Sequence, residues 1–179
     1  MENIAGGELE TRQKTILWLV PILFTVHNLE EMLFIDRFLH QISDFAPSFL
    51  QKILPLFTTS QFLLAATIVT ILPYLFAALA CTERHQSLGI YVLAVIQMVI
   101  FINVFSHTGM AMLRQTYVPG LITALAVNLP FSVYFFYTIL SQKWLNGKAL
   151  LIIFPIALLL HGPGLVSLLL LSGWVVGSY

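Results

Sequence analysis

The chain has 179 residues, 59% hydrophobic and 9% charged, with eight basic and eight acidic side chains and a formal net charge of zero. A soluble globular domain carries roughly a quarter charged residues, so with a mean hydropathy of +0.92 the composition excludes that class and specifies an integral membrane protein. Balanced charge without a basic stripe excludes nucleic acid as a partner, and a lone cysteine, Cys81, excludes both an internal disulfide and a thiolate metal cage.

A helical crossing needs about 20 apolar residues, and the sequence offers five such runs, at 15–39, 54–80, 88–106, 118–140 and 150–176. They predict an all-α, polytopic transmembrane bundle that fills residues 1–179 as a single domain. Arg12, Lys14, Arg84, Lys143 and Lys148 fall on one side of the spans, against Arg37, Lys52 and Arg114 on the other. By the excess of Lys and Arg on cytoplasmic loops, the N-terminus is expected inside and the C-terminus outside. The first run follows Arg12 and Lys14 as a leader peptide would, yet it has no small-x-small cleavage pattern and carries ionisable groups, so it reads as an uncleaved span.

Those groups are His27, Glu30 and Glu31, in the stretch His27-Asn28-Leu29-Glu30-Glu31, with the apolar run continuing through Ile35. An ionisable group at bilayer depth costs from ~2.5 to more than 10 kcal/mol depending on the reference state, and persists where it has a partner or a task. The alternative is that the two carboxylates snorkel at the membrane surface. Arg37, seven residues beyond Glu30 on the same face, either pairs with a carboxylate or anchors the helix at the headgroups. The second run contributes Gln61; the third Gln97, Asn103 and His107; the fourth Asn128; and the fifth His161, just before Gly162-Pro163-Gly164.

At ~1.5 Å per residue, His27, Glu30 and Glu31 lie ~18 to 24 Å along the first run, Asn103 and His107 ~23 and ~29 Å along the third, and His161 ~17 Å along the fifth. The even runs return, which puts Gln61 ~11 Å and Asn128 ~15 Å from the opposite ends. Nearly all intramembrane polar residues thus fall between the midplane and one surface, the mark of a buried site.

Positions i, i+3 and i+4 share a helix face, so Glu30 and Glu31 stand on the turn above His27 and can converge with it. Asn103 and His107, also i and i+4, give a second polar face. With His161 there are three imidazoles and two carboxylates, a first shell for one or two divalent metals; imidazole with carboxylate suits zinc first and non-haem iron second. Simpler uses exist for several of them. His107 would serve as a cap for the third helix; His161 would satisfy carbonyls freed by Pro163; Asn103, Gln61, Gln97 and Asn128 would be interhelical hydrogen-bond glue.

The motif His27, Glu30, Glu31, a later His107, and the stretch Tyr117, Pro119, Gly120, Leu121, Thr123, Ala124 opening the next helix together resemble the HXXEE family of small bacterial membrane proteins, over about residues 16–140. The resemblance implies a bacterial inner-membrane location and adds Tyr117 to the residues of interest. It implies no established activity, and His161 lies outside the matched part.

The residues lead us to expect a membrane-embedded metal-dependent enzyme. His27, His107 and His161 are candidate ligands with one of Glu30 and Glu31; the other carboxylate is the general base; Asn103, Gln61, Tyr117, Asn128 and Arg37 support them. A metal that lowers the pKa of bound water makes hydrolysis of a lipidic substrate arriving from the bilayer the simplest chemistry, with iron-dependent oxidation second. Two alternatives use the same cluster: a metal-free enzyme with a glutamate base, similar in residue types alone to the intramembrane proteases with paired glutamates, and a metal-ion or proton transport module.

Overall fold

The computed structural model describes residues 11–42, 57–82 and 84–177, and of residues 40–42 the backbone alone. Five helices are long and apolar enough to cross a membrane. They are α1 (Thr11–Ile42), α2 (Thr59–Ala80), α3 (Gln86–Arg114), α4 (Leu121–Ser141) and α5 (Gly147–Val176). No strand occurs among the described residues. A backbone in lipid must satisfy its own N–H and C=O groups, and a helix does so within its own turns.

The spans sit where hydropathy puts them, and their ends differ for local reasons. α2 starts at Thr59 rather than 54, because Thr58 and Gln61 form a reciprocal capping box: the Thr58 hydroxyl accepts from the Gln61 amide at 3.3 Å, and the Gln61 side chain accepts from the Thr58 amide at 2.5 Å. α3 runs eight residues past the expected 106, to Arg114, and closes on Gln115 in the left-handed conformation. α4 opens at Leu121 behind Gly120, and α5 opens at Gly147 under the Asn146 side chain, which accepts from the Ala149 amide at 2.9 Å.

Prolines reshape two helices without ending them. Pro130 has no N–H, and its ring would crowd the carbonyl four residues back; one wide π turn, Ala124–Asn128, precedes it and closes with the Leu129 amide on the Ala124 carbonyl. Pro163 lies inside a second π turn, Leu160–Gly164, and α5 runs through it as a single span, as the hydropathy predicts.

α1 packs on α2; α2 packs on α3 and on the Leu165–Val176 half of α5; α3 packs on α4 and on the Gly147–Leu159 half of α5. The hydrophobic effect gives little between helices already in lipid, so close approach has to come from shape. Ala65, Ala66, Ala77, Ala80 and Ala94 are buried at these contacts, and a side chain on Gly89 would collide with the backbone of Ala80. Leu17, Val20, Leu93, Ile100, Phe135, Ile139 and Ile153 fill the interior.

Candidate metal centre

α1, α3 and the turn into α4 bring His27, Glu31 and His107 together, with their ligand atoms all within 4.8 Å of one another. Glu31 Oε1 lies 2.9 Å from His107 Nε2 and 3.6 Å from His27 Nε2, and the two imidazoles meet edge to face at 5.1 Å between centroids. His27 is fully buried and His107 nearly so. The 2.9 Å approach lacks hydrogen-bond alignment, leaving His107 Nε2 buried without a hydrogen-bond partner. Two ligands each ~2.0–2.2 Å from one zinc ion, at angles between square and tetrahedral, stand roughly 2.9 to 3.5 Å apart. The donor set, two imidazole nitrogens and a carboxylate oxygen, is of the kind that suits zinc or iron.

Glu30 does not converge on this point. Its carboxylate accepts from the Tyr117 hydroxyl at 2.5 Å, the Ile122 amide at 3.2 Å, the Thr123 amide at 2.8 Å and the Thr123 hydroxyl at 2.6 Å. These are the orphan amides of the first turn of α4 and the side chains beside them, so Glu30 binds a helix N-terminus. The expectation that the two carboxylates act as ligand and base at one centre is corrected here: α4 captures Glu30 and leaves Glu31 alone with the imidazoles.

Thr123 links the two halves. Its hydroxyl has one proton, given to Glu30 Oε2, while the same oxygen lies 2.9 Å from His27 Nδ1. His27 therefore carries its proton on Nδ1 and donates it to Thr123, and its Nε2 lone pair faces Glu31. Asn103 Nδ2 sits 2.8 Å from that Nε2. Such a partner on the far nitrogen is how proteins fix the tautomer and aim of a metal-binding histidine. Tyr117 lies in the turn between α3 and α4. Partial withdrawal from water, then its bond to Glu30, push its hydroxyl well above its ordinary pKa of 10.0, so it stays a donor.

Gly120 closes the site from the α4 side. Its φ of +82° is a conformation that favours glycine, and a Cβ there would come within 2.8 Å of His27 Cε1, 2.9 Å of Glu31 Cγ and 3.0 Å of His107 Cε1. Asn28, between the motif's charged residues, donates to Thr70 Oγ1 at 2.6 Å and ties α1 to α2. Leu29 turns outward, 52% exposed.

The remaining expected residues separate. His107 does not cap α3, which continues two turns beyond it. His161 stays outside the His27, Glu31 and His107 cluster; because the π turn keeps α5 intact, its Nε2 bonds Ser106 Oγ at 2.9 Å. Gln61 is fully buried, but at the third residue of α2, where it serves the cap. Asn128 belongs to the α4 π turn, and its carbonyl accepts from Ser132 Oγ at 2.7 Å, the same hydroxyl that accepts from Gln97 Nε2 at 2.7 Å. The Gln97–Ser132 bond ties α3 to α4, the Ser132–Asn128 bond lies within α4 and uses the Asn128 backbone, and neither Gln97 nor Asn128 joins the His27, Glu31 and His107 cluster. Arg37 is exposed, and the acceptor positions on Glu30 are filled by α4 instead. Thr123, Gly120 and Asn28 were not singled out by polarity at depth; their signal was the Tyr-x-Pro-Gly-x-x-Thr stretch and the second letter of the motif.

A cavity of about 290 Å³ opens beside the centre between α1, α2, α3 and α5. Glu31, Asn103, His161 and Asn28 supply its polar lining, and the rest is hydrocarbon apart from Gly164. Leu72 and Leu160, 47% and 49% exposed, form walls shared with the lipid-facing flank.

A family model described as a protein of unknown function with HXXEE motif matches residues 18–135. The uncharacterized protein YrkK of Bacillus subtilis (strain 168) is 30% identical over 130 residues, covering 72% of this chain and 77% of that one. No solved structure matches at a significant level.

Proposed function

The chain belongs to the HXXEE family, and from that membership and the geometry above we propose that it is a membrane-embedded, metal-dependent enzyme acting on a lipidic substrate. His27, Glu31 and His107 hold a divalent metal, zinc in first place and iron in second, and the open side faces the cavity. The observation that carries this reading is the 2.9 and 3.6 Å spacing of Glu31 from two buried imidazoles, one of them aimed by Thr123 and Glu30. Two histidines and one glutamate with a vacant position form a set used by hydrolytic zinc sites. A bound metal would lower the pKa of its water toward ~7 and polarise a substrate carbonyl. His161, facing the same cavity, is placed to take up a proton released there, and Asn103 to donate to a developing oxyanion.

From its family we place the protein in the bacterial inner membrane, and from the distribution of Lys and Arg we place its N-terminus in the cytoplasm. Cys81, half-buried at the end of α2, then faces the cytoplasm. A membrane-impermeant maleimide should label it in inverted vesicles and not in right-side-out ones; the opposite pattern reverses the orientation.

The activity is tested with zinc- or iron-loaded protein in nanodiscs doped with a panel of lipidic esters, reading release of the corresponding carboxylic acids by mass spectrometry. Release that stops with a chelator and in Glu31→Gln supports the reading. Release unaffected by the chelator would favour a metal-free enzyme with Glu31 as base. The observation on that side is Asn103 Nδ2 at 2.8 Å from His27 Nε2, which occupies the same lone pair.

A further inference from the structure

The cavity is not polar at one end and apolar at the other. Hydrogen bonds between helices fix the register of its lining: Asn28 is level with Thr70, His27 with Asn103, and Ser106 with His161. Take as upper the side where α1 and α3 end and α2 begins. Below the polar level lie Phe24, Ile96, Val99 and Ile100; above it lie Phe62, Ala65, Leu165 and Leu168. At ~1.5 Å per residue, Ile96 is ~10 Å below Asn103 and Phe62 is ~12 Å above Thr70. The polar residues therefore form a belt across the middle of a hydrocarbon-walled space.

That belt makes few demands of its own. Asn28 already donates to Thr70, Asn103 meets His27 and His161 meets Ser106, while Glu31 stands 2.9 and 3.6 Å from the two imidazole nitrogens. Without a metal, a charged phosphate here would have the Glu31 carboxylate beside it and hydrocarbon above and below it, and burying an ion among apolar walls is costly. At about 290 Å³, the space lies at the low end of the roughly 300–1,000 Å³ of ligand cavities. It holds one medium-length chain, not the two long chains of a phospholipid.

We infer that the cavity takes a neutral, single-chain lipid whose one polar linkage lies inside hydrocarbon, an alkyl ester being the simplest example. One arm runs down along α3 and the other up between α2 and α5, with the linkage in the belt beside Glu31 and His161. The claim deepens the proposed function and rests on it for the reaction, while binding itself needs only the cavity.

Hexyl hexanoate and hexyl phosphate are the probes, added to the full-length protein in phosphatidylcholine nanodiscs, with thermal unfolding as readout and metal content measured on the same samples. Ala65→Phe or Leu168→Trp blocks the upper arm, and Val99→Trp or Ile96→Phe the lower; variants are compared where their ligand-free Tm matches wild type. The expected result is a rise of about 3 °C with the ester in wild type, none with the phosphate, and loss of the rise in both upper and lower variants. An equal rise with the phosphate, a rise that survives blocking of either arm, or no rise in wild type overturns the inference. Bound metal with no ester shift overturns it and leaves the metal reading standing. An ester shift in protein that binds no metal overturns the metal reading and leaves the cavity assignment standing.

Discussion

Thr123 has one hydroxyl proton and three polar neighbours, Glu30 at 2.6 Å, His27 at 2.9 Å and the Gly120 carbonyl at 3.3 Å, and where that proton goes sets the chemistry of His27. With the hydroxyl proton on Glu30, the imidazole must donate from Nδ1, and Nε2 carries the lone pair that Asn103 Nδ2 meets at 2.8 Å and that a metal would take in its place. Thr123→Val removes these hydroxyl contacts at constant volume, so zinc affinity, read by competition with a chromophoric chelator, should fall about 10- to 100-fold. Thr123→Ser should restore it. Tyr117 gives a pH signature: its hydroxyl titrates above its ordinary 10.0 when folded, so the unfolded chain loses that proton first. The stability its bond provides is complete below about pH 10 and declines above it. The difference in Tm between wild type and Tyr117→Phe should therefore be constant up to about pH 10 and close above it. Polarity at depth made His27, Glu31, His107 and Asn103 legible in the sequence. The separation of Glu30 from Glu31 was not, because i+3 and i+4 lie on one face and only the arrival of α4's amides distinguishes them.

At the scale of the helix, hydropathy located every span, while capping and proline chemistry decided where and how each runs. Gln61 shows the difference. Counted from an expected start at residue 54 it reached the depth of the site; with α2 opening at Thr59 it is part of a capping box. Gln61→Ala should cost about 1 kcal/mol, as lost caps do, lowering Tm while leaving metal content at the wild-type level. Loss of metal in that variant would put Gln61 back in the site. The two π turns were invisible to periodicity, since each adds one residue to a turn without altering the apolar content. Pro130 and Pro163 marked their neighbourhoods as irregular, but a proline in a sequence does not say whether the helix stops, kinks or widens.

At the scale of the molecule, five of the described helices bring His27, Glu30, Glu31, Asn103, His107 and His161 into one region, bounded by the α4 N-terminus on one flank and the cavity on the other. α5 lies beyond the matched residues 18–135, yet it supplies one wall of that cavity, including His161. The proposed ligands thus sit on the matched helices α1 and α3, and the cavity beside them is completed by a helix outside the match. The metal is the central claim, and elemental analysis of the purified protein after zinc or iron supplementation tests it most directly. Wild type and His161→Ala should each hold about one equivalent of metal, with His27→Ala and Glu31→Gln holding almost none, as expected of a three-ligand site. Well-folded wild type without metal, or His27→Ala that retains it, would contradict the account.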